Sequence, residues 1–321
     1  TSWLSDILSY SRLMALMLAT SVIASVMNTL GTLGGLTAVG MVLFVLVFSY
    51  GGMYGVVIAF QRFIPAKGLF GNQNWVGLEN FQYVFSLKNV WRAIWNTLSI
   101  SVWKLVLGIV VPVCVALLLN EVRRSGFKRT VQTIVYLPHF ISWVILSGIF
   151  LDLLSTDGLV NQFLGLFGLE PIFFLGSNRY FQATLIVTDV WKGFGYSSII
   201  YLSAIAGIDQ EQYESARIDG AGRFRCMRYI TLPGLAGTIA LMGVLSIGNL
   251  LNAGFDQVLN MYSPQVYETG DIIDTFVYRF GLLEAKYGPS QAVGLMKSVI
   301  SATLTVVAYV LAYKYADYSL F

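Results

Sequence analysis

Residues 208–234 read IDQEQYESARIDGAGRFRCMRYITLPG. Glu211–Ile218 has the composition of a short helix, with Tyr213, Ala216 and Ile218 available for an apolar contact. Gly220 and Gly222 break it, because glycine accepts backbone angles that other residues resist. Phe224–Ile230 predicts a second short helix, ended by Leu232-Pro233, which also opens the next element, since proline suits a first helical turn. Apolar runs at Gln182–Ala206 and Leu235–Ala253 flank this stretch. The segment 207–234 is therefore an elbow of two short helices joining two long apolar ones, and it is longer than a passive connection requires.

The rest of the chain explains what the elbow projects from. Of 321 residues, 56% are hydrophobic and only 12% charged, and the mean hydropathy is +0.69. A soluble domain carries about 25% charged residues, so too little polar surface remains for a water-soluble body. Apolar stretches of about 20 residues recur, as in a polytopic helical membrane protein; a β-barrel would instead show alternating segments of about 10 residues. The net charge of +3 makes no case for nucleic acid. Cys114 and Cys226 lie far apart, in an apolar and a basic setting, which argues against a disulfide. With His139 as the single histidine, a His-based metal cage is excluded. No cleavable signal peptide is expected from the first residues.

Apolar length predicts spans near Gly34–Tyr50, 94–119, 134–154, 182–206, 235–253 and 292–313. Three regions result: 1–50 with the first span, an external loop 51–93, and a core 94–321. From Leu13 to Gln61 there is no charged residue. That length holds either two spans, Leu13–Leu30 and Gly34–Tyr50, or one span preceded by an interfacial segment, the second reading being preferred. Arg123, Arg124, Lys128 and Arg129 place 120–132 in the cytoplasm by the excess of basic residues in short inner loops. Counting spans puts 207–234, with Arg217, Arg223, Arg225 and Arg228, on the same side. Residues 255–291, with Asp256, Glu268, Asp271, Asp274 and Glu284, fall outside.

Within the elbow, Glu214-Ser215-Ala216, Gly220, Ile230 and Leu232-Pro233 stand at fixed spacings. They resemble the motif of the membrane subunits of binding-protein-dependent ATP-binding-cassette importers: Glu-Ala-Ala, three residues, Gly, nine residues, Ile, one residue, Leu-Pro. The departure is Ser215 in place of the first alanine. The resemblance extends over MYGVVIAFQ, WVGLENF, RTVQTIVYLPHFISWVI, EPIFFLG, DVWKGFGYSSIIYLSAIAGID and NAGFDQV. These look like the carbohydrate-importing branch, and within it like permeases for oligosaccharides such as those derived from alginate. The resemblance implies an all-α integral membrane protein with six core transmembrane helices, of the type I importer permease class, in the bacterial inner membrane. The elbow is then a cytoplasmic coupling helix that uses Glu214, Ser215, Ala216, Asp219, Gly220, Ile230, Leu232 and Pro233 to engage an ATPase. The implied partners are a second, homologous but different permease subunit, two ATP-binding-cassette subunits, an extracytoplasmic solute-binding protein and membrane lipid. No Gly-Lys pair occurs, so the chain lacks its own P-loop. No cofactor is implied in this chain; ATP and Mg belong to the partner subunits.

Two faces beside the elbow suit a substrate path. Asp189, Gly193 and Tyr196 share a helix face at i, i+4 and i+7, joined by Lys192, and Leu245, Asn249 and Asn252 repeat the spacing, with Gly248 beside them. Polar groups within a bilayer default to the bundle interior or a wet path, and glycines beside them leave room for a ligand. By their offset from the coupling motif, as in the maltose importer, these eight residues land in the pathway of an oligosaccharide. The plainer alternative is a structural Asp189–Lys192 ion pair. Lys104 is expected to pair with an acid or line the path, and Lys297 to reach a membrane surface; Lys192 and Lys104 are candidate countercharges for an anionic sugar. His139, after a kink at Pro138, reads as a structural hydrogen-bonding residue. Trp75, Trp91, Trp95 and Trp103 read as an interfacial belt. Rival functions are a stand-alone secondary transporter or channel for small polar solutes, which the long elbow disfavours, and an intramembrane enzyme, for which Asp271 and Asp274 supply too little chemistry.

Overall fold

The computed structural model describes residues 54–68 and 71–316. The predicted span Gly34–Tyr50 and the alternative at Leu13–Leu30 lie outside the described residues. The described residues fall into two compact units divided between Asn80 and Phe81.

In the first unit a 3₁₀ turn, Tyr54–Phe60, leads into a small antiparallel pair of β1 (Gln61–Arg62) and β2 (Asn74–Trp75), with Gln61 opposite Trp75. The Phe60 and Trp75 rings stack at 5.8 Å. Two buried amides pin the loop ends: Gln73 donates to the carbonyls of Ile64 and Gly68, and Asn80 donates to those of Ala59 and Gln61. Each buried amide thus finds partners inside its own unit.

The second unit is helical, and α1 (Glu79–Ser86) crosses into it. The 34-residue α2 (Lys88–Glu121) follows. At 1.5 Å per residue it is about 50 Å long and outreaches a ~30 Å hydrocarbon core. Trp91, Trp95 and Trp103 are exposed on it. Next come α3 (Ser125–Tyr136), a 3₁₀ turn (Leu137–Phe140) and α4 (Trp143–Leu153). The stretch expected as one span at 134–154 is not one straight helix: the chain bends by 103° between Phe140 and Trp143. Pro138 supplies no backbone N–H, Ser142 is extended, and the Ser142 hydroxyl accepts from Ile145 N at 3.4 Å to begin a new helix. After α5 (Leu159–Gly165) comes the 26-residue α6 (Phe181–Ala206).

In the elbow, α7 (Gln210–Ile218) is capped by Asp209, whose carboxylate accepts from Glu211 N at 3.0 Å. It ends at Gly220, whose φ of +77° is the left-handed turn glycine was expected to supply. The second short helix does not stand alone. α8 (Arg223–Cys226), a π turn (Met227–Thr231) and α9 (Leu232–Ile247) run on as one 25-residue element. The widened π turn lies just ahead of Pro233, where a regular helix would press the proline ring on the carbonyl four residues back, so the helix passes through.

The expected span 235–253 is also corrected. α9 stops at Ile247, and Gly248–Asn252 form successive turns, with Asn252 N bonded to Asn249 O at 2.8 Å. Gly248, Asn249 and Asn252 are poor helix formers, and Gly254 follows at φ +94°. The segment read from the sequence as the outer one holds α10 (Phe255–Met261), α11 (Tyr267–Gly270) and α12 (Ile273–Tyr278), and α13 (Tyr287–Ala316) is the last described helix.

By length and apolarity three helices qualify as spans, α2, the 223–247 element and α13, with the bent pair as a fourth. α6 is long enough, at about 39 Å, but its Asp189, Lys192 and small polar residues lower its apolarity. α6 is the centre of the bundle and packs along α2. One apolar cluster gathers Ile100, Phe181, Leu185, Val258 and Ile272; a second, nearer the elbow, gathers Val113, Ala116, Tyr201, Ile205 and Leu235. Among lipid tails no water is expelled, so close packing carries helix association. Gly195 shows it: a Cβ there would run into the Val135 carbonyl of α3.

Side-chain amides clip the outer segment to the bundle. Asn96 donates to the Glu268 and Asp271 carbonyls at 3.1 Å, and Gln182 to Thr269 O at 2.8 Å. Asp271 holds the Arg279 guanidinium through two contacts, and that guanidinium lies 4.2 Å from the Tyr267 ring centroid. Burial opposes the Arg279 charge, but the Asp271 carboxylate wins and holds its pKa above the ordinary arginine value. Lys297, expected to reach a membrane surface, pairs with Asp274 of α12 at 2.5 Å, because α12 packs on α13 and brings a carboxylate within reach. Cys114 and Cys226 are both free.

Candidate functional site

Where α2, α6 and the unwound end of α9 converge lies a cavity of about 210 Å³. Its polar lining comes from Ser101, Lys104, Asp189, Ser246, Asn249 and Asn252. Lys104 is the most enclosed of its charged groups, its side chain only 10% exposed. Its ammonium donates to Ala253 O at 2.8 Å and Gln257 Oε1 at 2.5 Å, and meets Asp189 Oδ1 at 3.3 Å. A lysine has three N–H donors, and all three are occupied. Gln257 is fully buried, and its amide donates to Leu185 O and Thr188 Oγ1 at 2.8 Å each. The outer segment is thereby tied to α6 and, through Lys104, to α2. The Ser101 hydroxyl, one turn before Lys104, is buried and without a partner.

A second group lies one turn further along α6. Lys192 Nζ donates to His139 O at 2.7 Å and sits 5.7 Å from the Trp143 ring. The His139 ring stacks on Tyr196 with centroids 4.1 Å apart and planes 3° from parallel, and Phe140 meets Tyr196 edge-on at 6.0 Å. The kinked turn after α3 thus covers one face of Tyr196.

Asp189, Asn249 and Asn252 line one cavity, but the helix face expected for Leu245, Asn249 and Asn252 does not exist. The two asparagines project from turns, because Gly248 and the asparagines themselves end α9. Leu245 is exposed on α9, outside the lining. Gly193 has open space around it, whereas a Cβ at Gly248 would lie 3.0 Å from the Thr305 hydroxyl of α13, so that glycine permits helix contact and not ligand room. Asp189 pairs with Lys104, not with Lys192. One participant went unrecognised: Gln257 lies in a segment read as an external loop, close to Gly254, where a Cβ would stand 3.1 Å from Lys104 Nζ.

The elbow has the opposite character. Glu214, Ser215, Asp219, Gly220, Leu232 and Pro233 are exposed, Ala216 and Ile230 half-buried. Ile218 is 87% and Phe224 69% exposed. Tyr213 turns inward, its hydroxyl 2.9 Å from that of Thr231, and joins α7 to the π turn.

A cavity between helices, together with an exposed motif helix joining two of them, defines the membrane component of a transport machine. Residues 105–316 match the family described as binding-protein-dependent transport system inner membrane component, and the chain belongs to that family. It is a transport subunit of the inner membrane, not an enzyme, and the family gives it no cofactor of its own. It is 40% identical over 280 residues to Protein LplB of Bacillus subtilis (strain 168), covering 87% of this chain and 88% of that one. It is also 40% identical over 276 residues to the polygalacturonan/rhamnogalacturonan transport system permease protein YteP of the same organism, covering 86% of each. Among solved structures it resembles a chain of a bacterial ABC transporter involved in the import of the acidic polysaccharide alginate, with TM-score 0.79 and 35% identity, covering 91% of this chain and 99% of that one.

Proposed function

We propose that this chain forms half of the path by which an acidic oligosaccharide, handed over by an extracytoplasmic binding protein, crosses the membrane. The observation that carries the reading is one of connectivity: the elbow 207–234 joins α6 to α9, and those two helices bring Asp189, Asn249 and Asn252 to the cavity. A push on the elbow reaches the cavity walls without an intermediary. The carboxylate and amides suit sugar hydroxyls. The acidic polymers named for YteP and for the alginate importer support an acidic sugar here.

On this reading α7 seats on an ATP-hydrolysing subunit, with Glu214 facing a basic group there and Ile218 and Phe224 supplying an apolar contact. The complex then contains a second, different permease, two ATP-binding-cassette subunits and the binding protein. Six core spans, one of them in residues 1–50, an external loop at 51–93 and a cytoplasmic elbow complete the arrangement.

The test is purification of the tagged chain from its native host, followed by ATPase assay in proteoliposomes. Co-purification of an ATPase and a second permease, with hydrolysis stimulated by binding protein loaded with oligogalacturonate or alginate oligosaccharide, is the expected result. A chain that transports alone, or hydrolysis that stays flat with every acidic sugar, would refute the proposal.

A further inference from the structure

Lys104 and Lys192 were equal candidates for the countercharge of an anionic sugar. Their surroundings separate them. Lys104 has its three N–H donors on Ala253 O, Gln257 Oε1 and Asp189 Oδ1, so a substrate carboxylate reaches it only by displacing one of them. Two of the three belong to the outer segment, whose position Gln257 also fixes through Leu185 and Thr188. Displacement would therefore loosen the packing of α10 on α6. Electrically the Lys104–Asp189 pair is neutral as a unit and offers little attraction to an arriving anion.

Lys192 is built differently. Among the described residues its one hydrogen-bond acceptor is the His139 carbonyl, a neutral group, and no carboxylate lies within ion-pair distance. Two of its three donors remain. The ammonium is half-buried, where a new charged hydrogen bond is worth more than in water. Tyr196 lies one turn further along α6 and is 45% exposed. An ammonium one helical turn from a partly exposed aromatic residue is a natural receptor for a uronate, which carries a carboxylate next to an apolar ring face.

We infer that Lys192 is the residue of this chain that reads a substrate carboxylate, whereas Lys104 is a positioning residue that holds Asp189 in the cavity wall. The inference rests on the proposed acidic substrate and adds the residue that selects it.

The experiment compares initial uptake of trigalacturonate and of its neutral methyl ester by the complete importer in proteoliposomes. One binding protein serves throughout, so its own preference cancels between variants. Lys192→Gln lowers the acid-to-ester ratio by about tenfold or more, the scale of one lost charge-assisted hydrogen bond, and Lys192→Arg restores it to within about threefold. Lys104→Gln slows both substrates and leaves the ratio within about twofold. Positioning has a signature of its own: Asp189→Asn costs several-fold in the parent and little in the Lys104→Gln background, because the carboxylate is already misplaced there. Co-purification with the ATPase checks that each variant assembles. A ratio that falls in Lys104→Gln and not in Lys192→Gln, or that moves in neither, overturns the assignment, and equal losses from Asp189→Asn in both backgrounds overturn the positioning role. If the unmodified importer takes up neither probe, or both equally, the acidic-substrate reading fails first and the inference falls with it.

Discussion

The cavity and the elbow are built on opposite rules, although α6 and α9 connect them directly. In the cavity wall Lys104 meets three acceptors and Gln257 is bonded on both sides. In the elbow, Glu214 is exposed with no ion pair among the described residues, and Ile218 is 87% exposed. Burial in a low-dielectric interior makes an unpaired charge expensive, so the charged groups of the cavity, Lys104 and Asp189, are paired within the chain. A surface that mates with another protein leaves its groups free until the partner arrives. Internal satisfaction thus marks parts that hold shape, and its lack marks parts that are completed from outside.

If that contrast is right, the largest loss comes from the elbow at the smallest cost to the fold. Glu214→Ala, or Gly220→Val at a backbone φ of +77°, should abolish ATP-driven uptake, a fall of about a hundredfold or more, while membrane insertion is unchanged. Uptake against time, with protein content by immunoblot, checks it. Uptake that survives both changes breaks the comparison at its outer end.

Lys104→Met comes second and should behave in the opposite way. Removing the ammonium leaves Asp189, Gln257 Oε1 and Ala253 O short of a donor, a destabilisation on the order of 3 kcal/mol. Its thermal unfolding midpoint in detergent should drop by several degrees, and Lys104→Met with Asp189→Asn should regain part of the loss. A midpoint equal to the parent's would mean the pair holds nothing.

Asn249→Ala is third. One truncated hydrogen bond to a sugar is worth about 1–3 kcal/mol, so substrate-stimulated hydrolysis should fall roughly five- to a hundredfold with assembly intact. Smallest is Tyr213→Phe, which removes the single bond between α7 and the π turn. The expected cost is about 1 kcal/mol, seen as a few-fold weaker affinity for the ATPase subunit in a titration. An effect as large as that of Glu214→Ala would show that the elbow is braced from within after all.

The same contrast explains what could be read from the sequence. Features set by local chemistry were legible: the bounds of α6, the helix at 210–218, the left-handed Gly220. The motif around Glu214 was legible because its residues sit close together in the chain. The bend after Phe140 was half-visible: Pro138 announced a kink, but its depth depends on Ser142 capping a new helix. The turns at Gly248–Asn252 were hidden by a continuous apolar run, in which three poor helix formers count for little in a hydropathy window. Lys104, Asp189 and Gln257 meet across sequence separations of 85 and 68, and Lys297 meets Asp274 only because α12 folds onto α13. No periodicity reports such contacts. For the same reason the sequence marked His139 as structural without revealing that its ring lies on that of Tyr196.

The central claim is that movement of the elbow reaches the cavity through α6 and α9. It is tested most directly by the reactivity of one cysteine placed at Asn249, with Cys114 and Cys226 replaced by alanine, in the reconstituted importer. Its labelling rate by a water-soluble maleimide is measured at rest and with ATP and vanadate trapped on the ATPase. The account predicts a change of about tenfold or more between the two states, abolished when Glu214→Ala is added. A rate that is the same in both states, in an importer that still hydrolyses ATP, would contradict it.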